Sequence, residues 1–252
     1  MPIEAVEPRR LYRQIADQLR QLIDAGEFAA GERLPSERDL ADQLKISRPT
    51  VREALIALEV EGRVRIRVGS GIYVTEPDDE AGAHRPPAAP AEGPFELLRA
   101  REFVESAIAA EAALLARPSD ILTIDRLLVR MEAGRHPSRT TLDLDRAFHI
   151  AVAEIVGNAV LTRLVGELFD QRINPYFEKL SSYFENQATW RLAFAEHRAV
   201  RDAIVAGDTD GARAAMRHHL RQSQIRFTPG FDEDPAAAEA NGKERHFGHE
   251  PR

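Results

Sequence analysis

The stretch SERDLADQLKISRPTVREALIALEVEGRVRIRVGSGIYV, residues 36–74, decides how the first third of the chain folds. Ser36 is a good N-cap, with Asp39 three residues on in the manner of a capping box, and Leu40, Ala41 and Leu44 form the apolar stripe of a short helix. After the break Lys45-Ile46-Ser47, Ser47 caps another helix, in which Val51, Ala54, Leu55 and Leu58 recur at helical spacing until Gly62 ends it. From Arg63 the period becomes two. Arg63, Arg65 and Arg67 alternate with Val64, Ile66 and Val68, and Gly69-Ser70-Gly71 turns the chain into Ile72-Tyr73-Val74, a β-hairpin with a small tip.

Upstream, Leu11, Ile15, Leu19, Leu22 and Ile23 follow the 3.6-residue repeat of an amphipathic helix that stops at Gly26. Downstream, residues 77–94 contain five prolines and no periodic apolar face, so they read as an extended linker. From Phe95 the pattern is helical throughout, with segments at about 95–116, 119–133, 141–156, 159–184, 188–206 and 209–227. Residues 228–252 are charged, aperiodic and contain Pro and Gly, which predicts a disordered tail. The expected fold is mainly α: residues 1–76 as three helices and a hairpin, and residues 95–227 as an all-helical bundle.

Apolar residues make up 43% and charged residues 30%, an ordinary soluble composition. The opening MPIEAVEPRRLYRQ lacks an apolar signal core, no segment is suited to a bilayer, and there is no cysteine, so a cytoplasmic protein without disulfides or thiolate metal sites is expected. The net charge of −7 speaks against a nucleic-acid partner only if charge is averaged over the chain. Residues 45–52 carry Lys45, Arg48 and Arg52, and residues 63–74 carry Arg63, Arg65 and Arg67, with no acid in either strip.

A helix, a short helix, a tight turn and a third helix followed by a hairpin describe a winged helix-turn-helix, whose third helix enters the DNA major groove. Arg48, Thr50 and Arg52 stand at the start of that helix, where Arg can pair bidentately with guanine and Thr offers a methyl and a hydroxyl. Arg38 is placed for a phosphate or a base, and Gly69 at the wing tip lets backbone approach the minor groove or the phosphates. The competing reading is an arginine-rich solvated helix face. Two acid-free strips that coincide with a recognition helix and a wing favour duplex DNA. One winged helix touches few bases, so a homodimer on a palindromic operator is expected.

The stretches LYRQIA from residue 11, RLPSERDLA from residue 33, SRPTVREAL from residue 47 and GSGIYV from residue 69 closely resemble the GntR family of bacterial regulators. The resemblance covers residues 10–75 and implies that Arg38, Arg48, Thr50, Arg52 and Gly69 touch the operator. Many members have a second Thr where this chain has Pro49, which removes one possible hydroxyl contact.

In the bundle, Asp145 and His149 lie four residues apart and project from one helix face, a spacing that suits two ligands of one ion. His197 and His219 fall on the inward stripes of two later helices. Three imidazoles and one carboxylate would leave coordination positions open, with Zn foremost and Ni or Mn also suited to the donor set. Any one of these histidines could instead be a hydrogen-bonded core residue. The stretches DRAFH, EH and MRHHL around these positions resemble the all-helical effector domain of the FadR subfamily, which implies that Asp145, His149, His197 and His219 are its metal ligands. His218 is one step around the helix from the matching position.

The stretch GPFELLRAREFVES from residue 93, with RINP from residue 172, looks like the hexuronate-utilisation repressors of this subfamily. That implies a small carboxylate effector, a sugar acid such as a glucuronate, galacturonate or fructuronate derivative. Arg101, Arg172 and Asn158 are candidate effector contacts, against the plainer roles of ion pair or helix cap. Lactate, citrate or another organic acid is the alternative effector. A metal-dependent hydrolase is the rival class, opposed by the lack of a nucleophile–base pair or phosphate-binding loop. A pure interaction module with core histidines is the third reading.

Overall fold

The computed structural model describes residues 10–76, 92–134 and 137–231. Helix α1 (Leu11–Asp24) buries Tyr12, Ile15, Ala16 and Leu19 and ends at Gly26, whose φ of 79° closes the last turn at little cost for glycine. Ser36 Oγ accepts from the Asp39 amide at 3.1 Å and opens α2 (Glu37–Leu44). Ser47 repeats the device with the Thr50 amide at 3.4 Å and opens α3 (Arg48–Val60). Pro49 lies in the first turn of α3, where its missing N–H leaves no partner wanting. Lys45, at φ 55°, makes the left-handed turn between the two helices.

The hairpin pairs β1 (Val64–Arg67) with β2 (Gly71–Val74) in antiparallel register, Val64 opposite Val74 and Ile66 opposite Ile72. Val64, Ile66, Ile72 and Val74 face the core while Arg65 and Arg67 face solvent, so the two-residue period is realised as alternating burial. The segment before α2 adds to the wing, because the Leu34 amide donates to the Ile72 carbonyl at 2.8 Å. The unit's core is Leu19, Leu34, Leu40, Val51, Leu55, Leu58 and the inward hairpin residues.

The described residues form two units, one made of the N-terminal region up to Gly93 together with 228–231, the other Pro94–Phe227. The second is a bundle of α4 (Pro94–Leu115), α5 (Pro118–Ala133), α6 (Arg139–Ile155), α7 (Ala159–Asp170), α8 (Pro175–Phe184), α9 (Gln187–Val205) and α10 (Thr209–Arg226). Its core joins Ile108, Ile124, Met131, Phe148, Val152, Val200 and Leu220.

Two expectations are corrected. The segment 159–184 is two helices, because Asn174 caps the Phe177 amide at 2.9 Å and Pro175 follows it, which starts α8 afresh. Residues 228–231 do not belong to a disordered tail: Gly230 and Phe231 are buried. Residues 232–252, and residues 77–91 of the expected linker, lie outside the described residues.

Leu55 is completely buried at the centre of the first unit. Leu55→Ala is expected to destabilise that unit by about 2–5 kcal/mol. Calorimetric unfolding checks this, and a loss below about 1 kcal/mol would contradict the packing described.

Candidate functional site

The basic face of the first unit is organised by a buried carboxylate. Glu37, in the first turn of α2, is fully buried and receives Arg52 Nε at 3.1 Å and Arg52 Nη2 at 2.6 Å, with Arg48 Nε at 3.3 Å. Burial pushes the Glu37 carboxyl up against the pull of Arg52 and Arg48. The arginines are thereby set at the start of α3 rather than left to wander, a positioning effect of a bidentate fork. Arg48 remains partly exposed and Arg38 mostly so, while Arg52 is buried. The Thr50 hydroxyl lies 2.8 Å from Ser47 Oγ, and Gly69 stands at the exposed wing tip with φ 74°.

In the bundle, Asp145 and His149 of α6, His197 of α9 and His219 of α10 converge in the interior, all buried, with one potential ligand atom from each within 4.8 Å of every other. His197 Nε2 lies 3.0 Å and His149 Nε2 lies 3.4 Å from Asp145 Oδ1. These three buried atoms nonetheless make no hydrogen bond. Polar atoms in a protein interior normally have partners, so a group of orphans aimed at one another fits a cation among them.

Carboxylates stand behind two of the rings. Glu196 Oε2 is 2.8 Å from His219 Nδ1, which leaves His219 Nε2 for the cluster, and Arg226 pairs with Glu196 at 2.5–2.6 Å. On the other side Glu105 packs against His149 Nδ1, and Arg101 donates to Glu105 at 2.6 Å. Burial raises the Glu105 carboxyl, but Arg101 and His149 outweigh it and bring it down to about 2. Burial likewise opposes ionisation of Asp145, yet His149 and His197 hold it well below the usual range. Burial and neighbouring charge keep His219 well below, and burial keeps His197 below, the ordinary histidine value. Burial also opposes a charge on His149, but Glu105 and Asp145 outweigh it and hold that ring above the ordinary histidine value. An anionic Asp145 and neutral His197 and His219 are the forms that ligate a metal, and His149 would give up any proton on its ligating nitrogen when an ion binds.

A cavity of about 350 Å³ opens on this cluster and reaches Asp145 and His219. Arg139, Arg172 and Arg226 bring three guanidinium groups to it, Glu178 and Glu185 two carboxylates, Ser138, Thr141, Ser181 and Ser223 hydroxyls, and Trp190 an aromatic wall. Arg172 Nη1 donates to Asp145 Oδ2 at 3.0 Å, its guanidinium lies 4.9 Å from the ring centres of both Phe169 and Phe177, and its buried Nε has no hydrogen bond.

Comparison with known proteins now gives the setting. Residues 11–74 match the family model of bacterial regulatory proteins, gntR family, and residues 96–222 match that of the FCD domain. The chain belongs to the gntR family. It is 36% identical over 226 residues to the Exu regulon transcriptional regulator of Escherichia coli strain K12, covering 88% of this chain and 86% of that one. It is 35% identical over 228 residues to the Uxu operon regulator of Haemophilus influenzae, covering 90% and 85%. It is also 36% identical over 239 residues to an Escherichia coli protein provisionally assigned to regulation of an L-lactate dehydrogenase operon, covering 92% and 91%. The protein is therefore a DNA-binding transcription regulator of this gntR family with an FCD effector domain. Among the described residues no helix is long and apolar enough to cross a membrane.

Within this gntR regulator the structure brings Asp145, His149, His197 and His219 together and sets Arg172 on the cavity wall. It does not bring Arg101 or Asn158 to the cavity lining. Arg101 is buried against Glu105 and the Phe169 ring, and Asn158 Oδ1 caps α7 by accepting from the Val160 and Leu161 amides. Sequence reasoning missed Glu105, Glu196 and Arg226. Glu196 directly precedes His197, and Glu105 lies one turn after Arg101, but nothing local says that either backs a histidine.

Dialysis against a chelator is expected to lower the melting temperature of the bundle, and added zinc to restore it, a span of about 3 kcal/mol when free ion exceeds Kd by about a hundredfold. His197→Ala should erase the difference. Identical melting of the wild-type chain with and without chelator would exclude a resident ion.

Proposed function

We propose that this regulator is a cytoplasmic repressor that holds a palindromic operator as a homodimer and releases it when a sugar acid binds beside a divalent metal, zinc first among the candidates. The observation that carries the reading is the cavity on the Asp145 and His219 side of the orphaned ligand cluster, with three arginines and several hydroxyls around it.

The division of labour follows from the chemistry of the wall. Asp145, His149, His197 and His219 hold the ion, and Glu105 and Glu196 orient the rings of His149 and His219. When bound, the ion supplies Lewis-acid coordination for carboxylate and hydroxyl oxygens. Arg172 and Arg226 take the remaining negative charge of the effector, the hydroxyl side chains exchange hydrogen bonds with its hydroxyls, and Trp190 covers an apolar sugar face. A hexuronate offers that combination of one carboxylate and several hydroxyls, whereas lactate offers a single hydroxyl and would leave most of the wall unused. The names of the Exu and Uxu relatives agree with the larger ligand.

At the other end, Arg38, Arg48, Thr50 and Arg52 meet base edges and phosphates, and Gly69 brings the wing backbone to the duplex. Effector binding lowers operator affinity by favouring a dimer geometry in which the two recognition helices no longer match both half-sites.

The test uses a duplex selected from a random-sequence pool by the wild-type chain. Arg48→Ala is expected to weaken binding at least tenfold, as loss of a charge-assisted contact of about 1.5–3 kcal/mol requires, without a change in melting temperature. Binding left intact would reject Arg48 as an operator contact. Glucuronate, galacturonate or fructuronate should displace that duplex and raise the melting temperature only in the metal-loaded chain, and Arg172→Ala should weaken the effect about 10–100-fold. Displacement by lactate or citrate but by none of the three hexuronates would overturn the sugar-acid assignment.

A further inference from the structure

Residues 228–231 make contacts that neither operator reading nor effector binding explains. Within the first unit, the Thr228 carbonyl accepts from Arg52 Nη2 at 3.1 Å, and the Phe231 ring lies 5.5 Å from the Arg52 guanidinium. The Phe231 carbonyl accepts from the Gly69 amide at 2.7 Å. Phe231 and Arg52 are both completely buried, although Arg52 lies one turn into α3 and Arg48 of that helix and Arg38 of α2 reach solvent.

A guanidinium N–H and a wing-tip amide are the donors that a base edge or a phosphate oxygen would take from these positions. The segment offers each a carbonyl oxygen instead, and its aromatic ring lies on the cation where desolvation strengthens the attraction. We infer that residues 228–231 are an autoinhibitory strap, which occupies Arg52 and the Gly69 amide and has to leave before either can engage DNA. The inference rests on the reading of Arg52 and Gly69 as operator contacts. The hydrogen bonds from Arg52 and Gly69 and the aromatic anchor of Phe231 are among the contacts that hold the strap, and all three end when the segment lifts away. A chain that is strapped for all but about a tenth of the time binds DNA roughly tenfold more weakly than an open one.

The test compares full-length wild type, Phe231→Ala and Phe231→Leu on the same pool-selected duplex by fluorescence anisotropy, with hydrogen exchange of the Gly69 amide measured in the free proteins. Phe231→Ala is expected to bind about tenfold more tightly and to exchange the Gly69 amide at least tenfold faster. Phe231→Leu keeps apolar bulk but loses the ring over Arg52, so it should shift both readouts in the same direction by less, which separates strap release from unfolding. Unchanged exchange at Gly69 or an unchanged or weaker affinity in both variants would overturn the strap. Arg52→Lys keeps a cation beside Glu37 but loses the fork, and it should weaken wild-type binding. If that substitution leaves affinity unchanged, Arg52 is not an operator contact, and the strap fails for that separate reason.

Discussion

Burying a carboxylate between an arginine and a histidine is the interaction on which the bundle's interior depends. It occurs in full as Arg101–Glu105–His149 and, half-buried, as Arg226–Glu196–His219. An isolated buried charge is costly, and so is a buried carboxylate beside a neutral ring that points elsewhere. The arginine makes each carboxylate tolerable, and the carboxylate then fixes which ring nitrogen faces inward. Asp145, held in turn by Arg172, completes an arrangement in which each acid near the rings has a basic partner. The apolar core packed beside it, from Ile108 to Leu220, lowers the local dielectric and makes the alignment of charges matter more.

The N-terminal unit solves the same problem for a different purpose. Glu37 is buried in the first turn of α2, where the helix dipole favours a negative charge, and it draws Arg48 and Arg52 to one place at the beginning of α3. The price in desolvation is offset by the fork of Arg52, and the arginine side chains lose their freedom before any partner arrives. An arginine that is already ordered loses less entropy on meeting its target.

Local signals carried much of this architecture. Ser36, Ser47 and Gly62 mark helix ends by hydrogen-bond and dihedral requirements that act within a few residues, and the alternation from Arg63 to Val68 exposes the wing. Asp145 and His149 could be paired by the four-residue helical repeat, and His197 and His219 by their place on inward stripes. What could not be read depends on distance along the chain. Glu105 meets His149, and Arg226 meets Glu196, only after separate helices pack, so nothing in either neighbourhood announces the pair. Arg101 and Asn158 stand away from the cavity lining, where a local ion pair and a helix cap engage their side chains. The RINP stretch held its own warning: Asn174 before Pro175 is a helix start, and a continuous apolar pattern hid it.

Phe177, Ser181 and Glu185 of the cavity wall sit on or at the end of α8, a short helix with its own cap, while the four cluster residues are borne by α6, α9 and α10. Substitutions in α8 can therefore reshape the cavity while the four cluster side chains and the carboxylates behind them stay as they are. One wall helix is thus free to vary in shape without disturbing the buried hub it faces.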